Sequence, residues 1–216
     1  MMRRTMTKAR APMARFLRGN DGVAAVEFAL IAPLLVVFLL GTTMATQSLW
    51  AHGKVSQTSS VIGDLISQEN SLTNADFTAI MRAGPVLLEP FPISDLNIEV
   101  TAAIACHQNP DDTAGSTPRM FVVWSNGWQN GAITNSGQRP GTELDDAPTE
   151  LAIQDSDYVI QTSASYTYVP AISQKAGYQI DMKETAYHQP RDQQPVSYPS
   201  REGNDKTRDC DELMNR

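Results

Sequence analysis

One carboxylate stands at the edge of a long apolar run. In NDGVAAVEFALIAPLLVVFLLG (residues 20–41), Glu27 lies five residues after Gly22, and no formal charge follows from Phe28 to Ala51. An ionised side chain within hydrocarbon costs roughly 2.5–3.5 kcal/mol even on lenient scales. Glu27 therefore needs a partner. A cut after Gly22 would supply one, because the new amine on Val23 would lie four residues before Glu27, on the same face of a helix. A carboxylate beside a fixed cation keeps its charge at lower cost than an isolated one.

The remaining residues with chemical potential are sparse. Two cysteines, Cys106 and Cys210, fit a disulfide in an oxidising compartment better than a metal site, with two free thiols as the alternative. The histidines are His52, His107 and His188, and none belongs to a His-x-x-x-His, Cys-x-x-Cys or Gly-x-Ser-x-Gly pattern. Cys106 and His107 are adjacent, and neighbours on a strand point to opposite faces, so they make a poor thiol–imidazole pair. Asp111-Asp112 and Asp145-Asp146 lack the spaced ligand series of a calcium loop and read as solvated turns. No catalytic residue, no metal and no cofactor is expected.

The elements that would position Glu27 follow from charge and hydropathy. Before Gly22, six basic residues (Arg3, Arg4, Lys8, Arg10, Arg15 and Arg18) face one acid, Asp21; from Val23 onward 11 basic residues face 23 acids. The acidic portion repels phosphates, which argues against nucleic acid as a partner. The 24 uncharged positions Phe28–Ala51 would span about 36 Å as a helix, enough to cross a hydrocarbon core of roughly 30 Å. Basic residues crowd the N-terminal side, which places that end in the cytoplasm and the bulk of the chain outside it. Pro33 removes one backbone donor and crowds the carbonyl of Ala29, so a kink is expected there.

Three readings of the N-terminus compete. A cleaved secretory signal, with Ala45 or Ala51 near the cut, would have an unusually long apolar region. A plain signal anchor fits length and charge but leaves Gly22 and Glu27 unexplained. A type IV prepilin-like leader explains both: a basic leader ends in Gly22, the cut falls between Gly22 and Val23, and Glu27 becomes the fifth residue, with Phe28 next.

The stretch FLRGNDGVAAVEFALIAPLLVVFLLG closely resembles the N-terminus of TadE-like proteins of the tight-adherence (Tad) pilus system. The matching features are the Arg-rich leader, Gly22, the block Ala24–Phe28, Pro33 and the Leu/Val run to Gly41. Ser165–Pro170 resembles a C-terminal strand of the same family less specifically. The resemblance implies a minor pseudopilin of the bacterial inner membrane, matured by a prepilin peptidase and used in building adhesive pili. Its partners would be other pilins or pseudopilins, reached through the N-terminal helix, with Glu27 meeting a neighbour's terminal amine. The polar stretch Thr42–Ser48 departs from the family, whose members often carry Glu and Arg there; a TadG- or TadF-type relative fits that departure equally. The rival reading is an uncleaved, anchored periplasmic binding or assembly protein.

Beyond the membrane, Val55, Ser59, Ile62, Leu65 and Ile66 recur at helical spacing, predicting that the helix continues to about Gln68 or restarts after a turn near His52-Gly53. A short helix capped by Thr73 or Asn74 should stop at Gly84-Pro85. Strands are expected over 96–105, 120–125 and 157–169. Asn126–Gly141 reads as a variable surface loop. Trp124, Trp128, Tyr166 and Tyr168 read as packing residues, an exposed ligand platform being the alternative. The expected architecture is α+β and pilin-like: leader 1–22, transmembrane helix 23–51, amphipathic continuation 52–70, a periplasmic domain 71–185 with a small antiparallel meander, and a flexible tail 186–216 that Cys210 pins back to Cys106.

Overall fold

In a computed structural model of the chain, the described residues are 21–107, 118–136, 138–144, 157–170, 177–191, 196–198 and 210–214. Residues 1–20 of the leader, Asp111-Asp112 and Asp145-Asp146 lie outside them. Contacts divide the chain into two units, Met1–Thr46 and Gln47–Arg216.

A single helix, α1 (Asp21–Ser67), serves both units, with no break at His52-Gly53. Its sequence changes character along its length. Up to Leu40 the large apolar side chains are 42–75 % exposed, from Val23 and Val26 through Phe28, Leu30 and Phe38. From Ala51 onward one stripe is buried: Ala51, Val55, Thr58, Ser59, Ile62, Gly63, Ile66 and Ser67. That three-and-four spacing is the face a helix presents to a core. Leu65, expected in the stripe, lies at its margin and is 36 % exposed. The hydroxyls within the stripe donate to their own helix, Thr58 to Lys54 O at 2.8 Å and Ser59 to Ser56 O at 2.9 Å, so they enter the core with their donors satisfied.

Two short helices follow. In α2 (Asn74–Met81), Thr73 is the N-cap: its hydroxyl accepts from the Asp76 amide, and the Asp76 carboxylate accepts from the Thr73 amide at 3.0 Å. The Thr73 hydroxyl, which also donates to Asp76 Oδ2 at 2.6 Å, and then the Thr73 amide hold the Asp76 carboxyl below the usual carboxylate range. The expected stop at Gly84-Pro85 is wrong, since both residues lie inside α3 (Ala83–Leu88). Pro85 is tolerated there because an amide in a helix's first turn has no acceptor within the helix. Gly84 allows close approach, for a Cβ at that position would lie 2.6 Å from Ile98 Cδ1.

Five strands make one antiparallel sheet: β1 (Asn97–Cys106), β2 (Arg119–Gln129), β3 (Ala132–Asn135), β4 (Tyr158–Tyr168) and β5 (Ile180–His188). The order is β3-β2-β1-β4-β5, so the first three run as a meander and β4 returns beside β1, as in a Greek key. The α+β expectation with an antiparallel sheet therefore holds. Two strands were not expected. β5 lacks a long apolar alternation, and β3 falls in the segment expected as a loop. There Asn130 and Gly131 take positive φ values of 52° and 84°, which closes a two-residue hairpin instead.

Even-numbered residues of β1 (Ile98, Val100, Ala102) and β4 (Ile160, Ala164, Tyr166, Tyr168) join the α1 stripe in the main core. In the β1–β2 pairing a bulge falls between Ala102↔Trp124 and Ala103↔Val122. It absorbs Val123 and sends Val122 and Trp124 to opposite faces, so the unbroken apolar run MFVVW serves two cores. Trp124, Trp128, Tyr166 and Tyr168 are all buried packing residues. Burial, followed by the charge of Asp95 and then Tyr168, pushes the Tyr166 hydroxyl up to about 12.

The expected flexible tail also contributes structure. Residues 186–188 belong to β5, and Val196 and Tyr198 are buried in the main core. Tyr198 stacks on Trp124 with ring centroids 5.2 Å apart, and the Trp124 indole donates to Val196 O at 2.7 Å. Pro- and Gln-rich composition concealed one tyrosine with a defined socket.

The helix meets the sheet most closely at Gly63. A Cβ there would lie 2.5 Å from His188 Nδ1 and 3.0 Å from Thr162 Oγ1. Gly63→Ala should therefore destabilise the domain by about 1–3 kcal/mol, the range for overpacking a rigid contact. Thermal denaturation of the two forms would measure it, and an unchanged midpoint would show that the contact has slack.

Candidate functional site

The N-terminal segment of α1 holds the residues singled out for processing and pairing. Gly22, Val23, Glu27 and Phe28 lie on the helix and are exposed, and Phe28 is 68 % exposed. Val23 and Glu27 are one turn apart and share a face. Gly22 carries no positive φ, and a Cβ on it would meet nothing within 4 Å. A glycine in a helix costs about 0.5–1 kcal/mol relative to alanine, and the fold offers no packing reason for it here. Pro33 lies inside α1, which is assigned as helix on both sides of it.

Every side of the helix between Val23 and Leu40 carries exposed apolar groups, with seven in a row from Leu34 to Leu40. A helix apolar all round requires lipid or other helices around it. The polar residues that follow are compatible with that setting. Thr42 and Thr43 donate to Leu39 O at 3.0 and 2.8 Å, and Thr46 donates to Thr42 O at 2.9 Å. Long, apolar and uncovered, α1 is consistent with a single-pass membrane anchor.

Cys106 and Cys210 form a disulfide with Cα atoms 5.3 Å apart, closing a sequence separation of 104. Cys210 begins a short helix, α4 (Cys210–Met214), and Leu213 packs with Ile104, Cys106 and Phe121. This cluster continues the core face of β1 beyond the reach of α1.

The other chemistry-bearing side chains are structural in their surroundings. Cys106 has no free thiol, so the Cys106–His107 pairing has no nucleophile. His52 Nε2 lies 2.9 Å from Glu184 Oε1 and ties α1 to β5, while His188 is pressed against Gly63. Neither contact was foreseen. The detectable signal was Gly63 itself, a residue that weakens a helix interior unless something must come close. Among the described residues no group of three or more His, Cys, Asp or Glu could hold a metal ion.

The outer sheet face has a shallow polar depression of about 200 Å³, lined by Glu99, Thr101, Gln161, Ser163, Lys183 and Thr185 among others. Several of its groups already bond to protein: Thr101 and Ser125 share a hydrogen bond of 2.7 Å, and Gln161 donates to the Tyr187 hydroxyl at 3.1 Å. Glu143 at its rim accepts from Arg119 through both oxygens, and this hydrogen-bonded guanidinium holds its carboxyl below the usual range.

These features define a class: one long apolar helix, bare in its first half, that ends as the core helix of a disulfide-closed α+β domain. Residues 22–61 match the family model of TadE-like proteins, so the N-terminal segment of this chain is TadE-like. The match covers 40 of 216 residues and takes in both the bare half of α1 and the start of its buried stripe. No curated protein and no solved structure matches the chain.

Removing the disulfide should free α4 and uncover Ile104 and Phe121. In the chain-entropy account a loop of this length is worth up to about 4–5 kcal/mol. Replacing both cysteines by serine should lower the denaturation midpoint, and exchange of backbone amides in β1 should rise most near Cys106. An equal midpoint would leave the bridge without a stabilising role.

Proposed function

We propose that this chain is a minor pseudopilin, a structural and assembly subunit of a Tad-type pilus used in surface adhesion. A prepilin peptidase cuts it between Gly22 and Val23. The helix then holds it in the bacterial inner membrane with its N-terminus cytoplasmic and its domain periplasmic. Assembly packs the bare part of α1 against other pilin or pseudopilin helices, and Glu27 meets the terminal amine of a neighbour.

The observation that carries this reading is the coincidence at Gly22. The TadE-like match begins there, Glu27 follows five residues later, and the fold has no need of glycine at that position. A residue kept at a cost to the helix, with nothing packed against it, fits recognition by another protein. The exposed apolar surface from Val23 to Leu40 supports the helix-packing step. The protein is then a substrate and a building unit, and its conformation, more than any reaction of its own, is what the assembly uses.

N-terminal sequencing of protein purified from membranes should find Val23 as the first residue. Gly22→Ala should leave the domain folded and retain the longer form. A first residue at Met1 or Met2 in the unaltered protein would replace this reading with that of an uncleaved, anchored periplasmic protein.

Glu27→Gln tests the pairing. It should be cut normally yet incorporate poorly, because the neighbouring amine loses its counter-charge in a setting where an unpaired charge costs roughly 2.5–3.5 kcal/mol. Quantifying mature subunit in sheared filaments and in the membrane fraction would measure this, and wild-type incorporation would count against the Glu27 contact.

A further inference from the structure

The uncharged run of α1 ends at Ala51, but the folded domain already touches the helix before that point. The Tyr168 hydroxyl donates to Gln47 Oε1 at 3.1 Å. Trp50 meets Phe91 edge-on with centroids 5.4 Å apart, and Phe91 meets Tyr168 edge-on at 5.7 Å. The domain therefore overlaps the last five uncharged positions, Gln47–Ala51. The uncharged positions left uncovered, Phe28–Thr46, amount to 19 residues or about 28 Å of helix, close to the roughly 30 Å of a hydrocarbon core.

Apolar groups adjacent in sequence to these contacts are exposed. Trp50 is 53 % exposed and Leu49 74 %. Ile93, two residues beyond Phe91, and Val169, next to Tyr168, are each 41 % exposed. In the sequence these groups adjoin charged or titratable ones, His52 and Lys54 after Trp50, and Glu89 and Asp95 on either side of the Phe91–Ile93 segment. Aromatic rings where an apolar run gives way to charged sequence suit a bilayer boundary, since tryptophan and tyrosine favour the headgroup level.

We propose that the end of the domain formed by Trp50, Phe91, Ile93 and Val169 rests in the interfacial layer of a phospholipid bilayer. This rests on the reading of α1 as a membrane-spanning helix. The occupant is lipid, because Leu49 and Trp50 follow closely in the chain on the uncharged run Phe28–Thr46, whose large apolar side chains are exposed.

The full chain in phosphatidylcholine vesicles provides the test, with bromines carried either near the headgroup or near the chain ends as fluorescence quenchers. Trp124 and Trp128 are buried, so the difference between wild type and Trp50→Phe isolates Trp50. Its emission should be quenched about twofold more by shallow than by deep bromines, as for a ring at the headgroup level. Ile93→Trp, in the Trp50→Phe background, should behave the same way and reports on the domain itself. Phe38→Trp, in that same background, should be quenched most by deep bromines and reports on the anchor alone.

Quenching of Phe38→Trp without lipid quenching of Trp50 and Ile93→Trp would overturn the interfacial contact and leave the anchor standing. Loss of quenching at all three would remove the anchor and the contact together. Trp50 shielded from both bromines and aqueous acrylamide would mean that a protein surface covers it, which also overturns the proposal.

Discussion

Close packing of α1 on the sheet is the constraint on which the rest depends. Without the stripe from Ala51 to Ser67, the even-numbered face of β1 and β4 loses a large part of its cover, and each buried Val or Ile contributes about 1.5–3 kcal/mol. The approach distance is fixed at Gly63, where His188 and Thr162 come within the space of an absent side chain. A helix that serves as core in its second half cannot be removed without dismantling the domain. The bare and the buried stretches both belong to α1, so the same element that is apolar all round in its first half supplies core residues in its second.

The sheet is organised around its central strand. β1 pairs on both edges, and from Thr101 to Cys106 every residue is buried, because different elements cover its two faces. The bulge at Val123 allows this, dividing one apolar run between the core under α1 and the smaller cluster around Ala103 and Leu144. On the first face, α1 covers Ile98 to Ala102 and α4 covers Ile104 and Cys106. Pieces from both ends of the described chain therefore complete a single hydrophobic layer.

What could be read in the sequence was whatever depended on short-range pattern. The uncharged run, the helical stripe around Ile62 and Ile66, the Thr73 cap and the alternation of Ile98, Val100, Ala102 and Ile104 each declare an element locally. What was hidden depended on partners distant in sequence. Val196 and Tyr198 sit in Pro- and Gln-rich sequence, and only the socket beside Trp124 gives them structure. β5 is recognisable by its pairing with β4 more than by its composition. Gly84 reads as a stop until Ile98 is seen against it, and Asn130-Gly131 reads as one of several loop pairs until its positive φ values close a hairpin. For the candidate site the limit is different: Gly22 and Glu27 are plain in the sequence, but their proposed partners belong to other molecules.

The bridge from Cys106 to Cys210 also has a meaning in time. A chain is made from its N-terminus, so the Cys106 thiol exists for 104 residues of synthesis before its partner appears. β2 and later β4 are made within that interval and can pair with the central strand before Leu213 exists to cover Ile104 and Phe121. The bridge and the cover over Ile104 and Phe121 therefore depend on the same late-made segment, Cys210–Met214. In the folded chain the bridge leaves no free thiol, and Phe121 lies buried in the cluster that Leu213 joins.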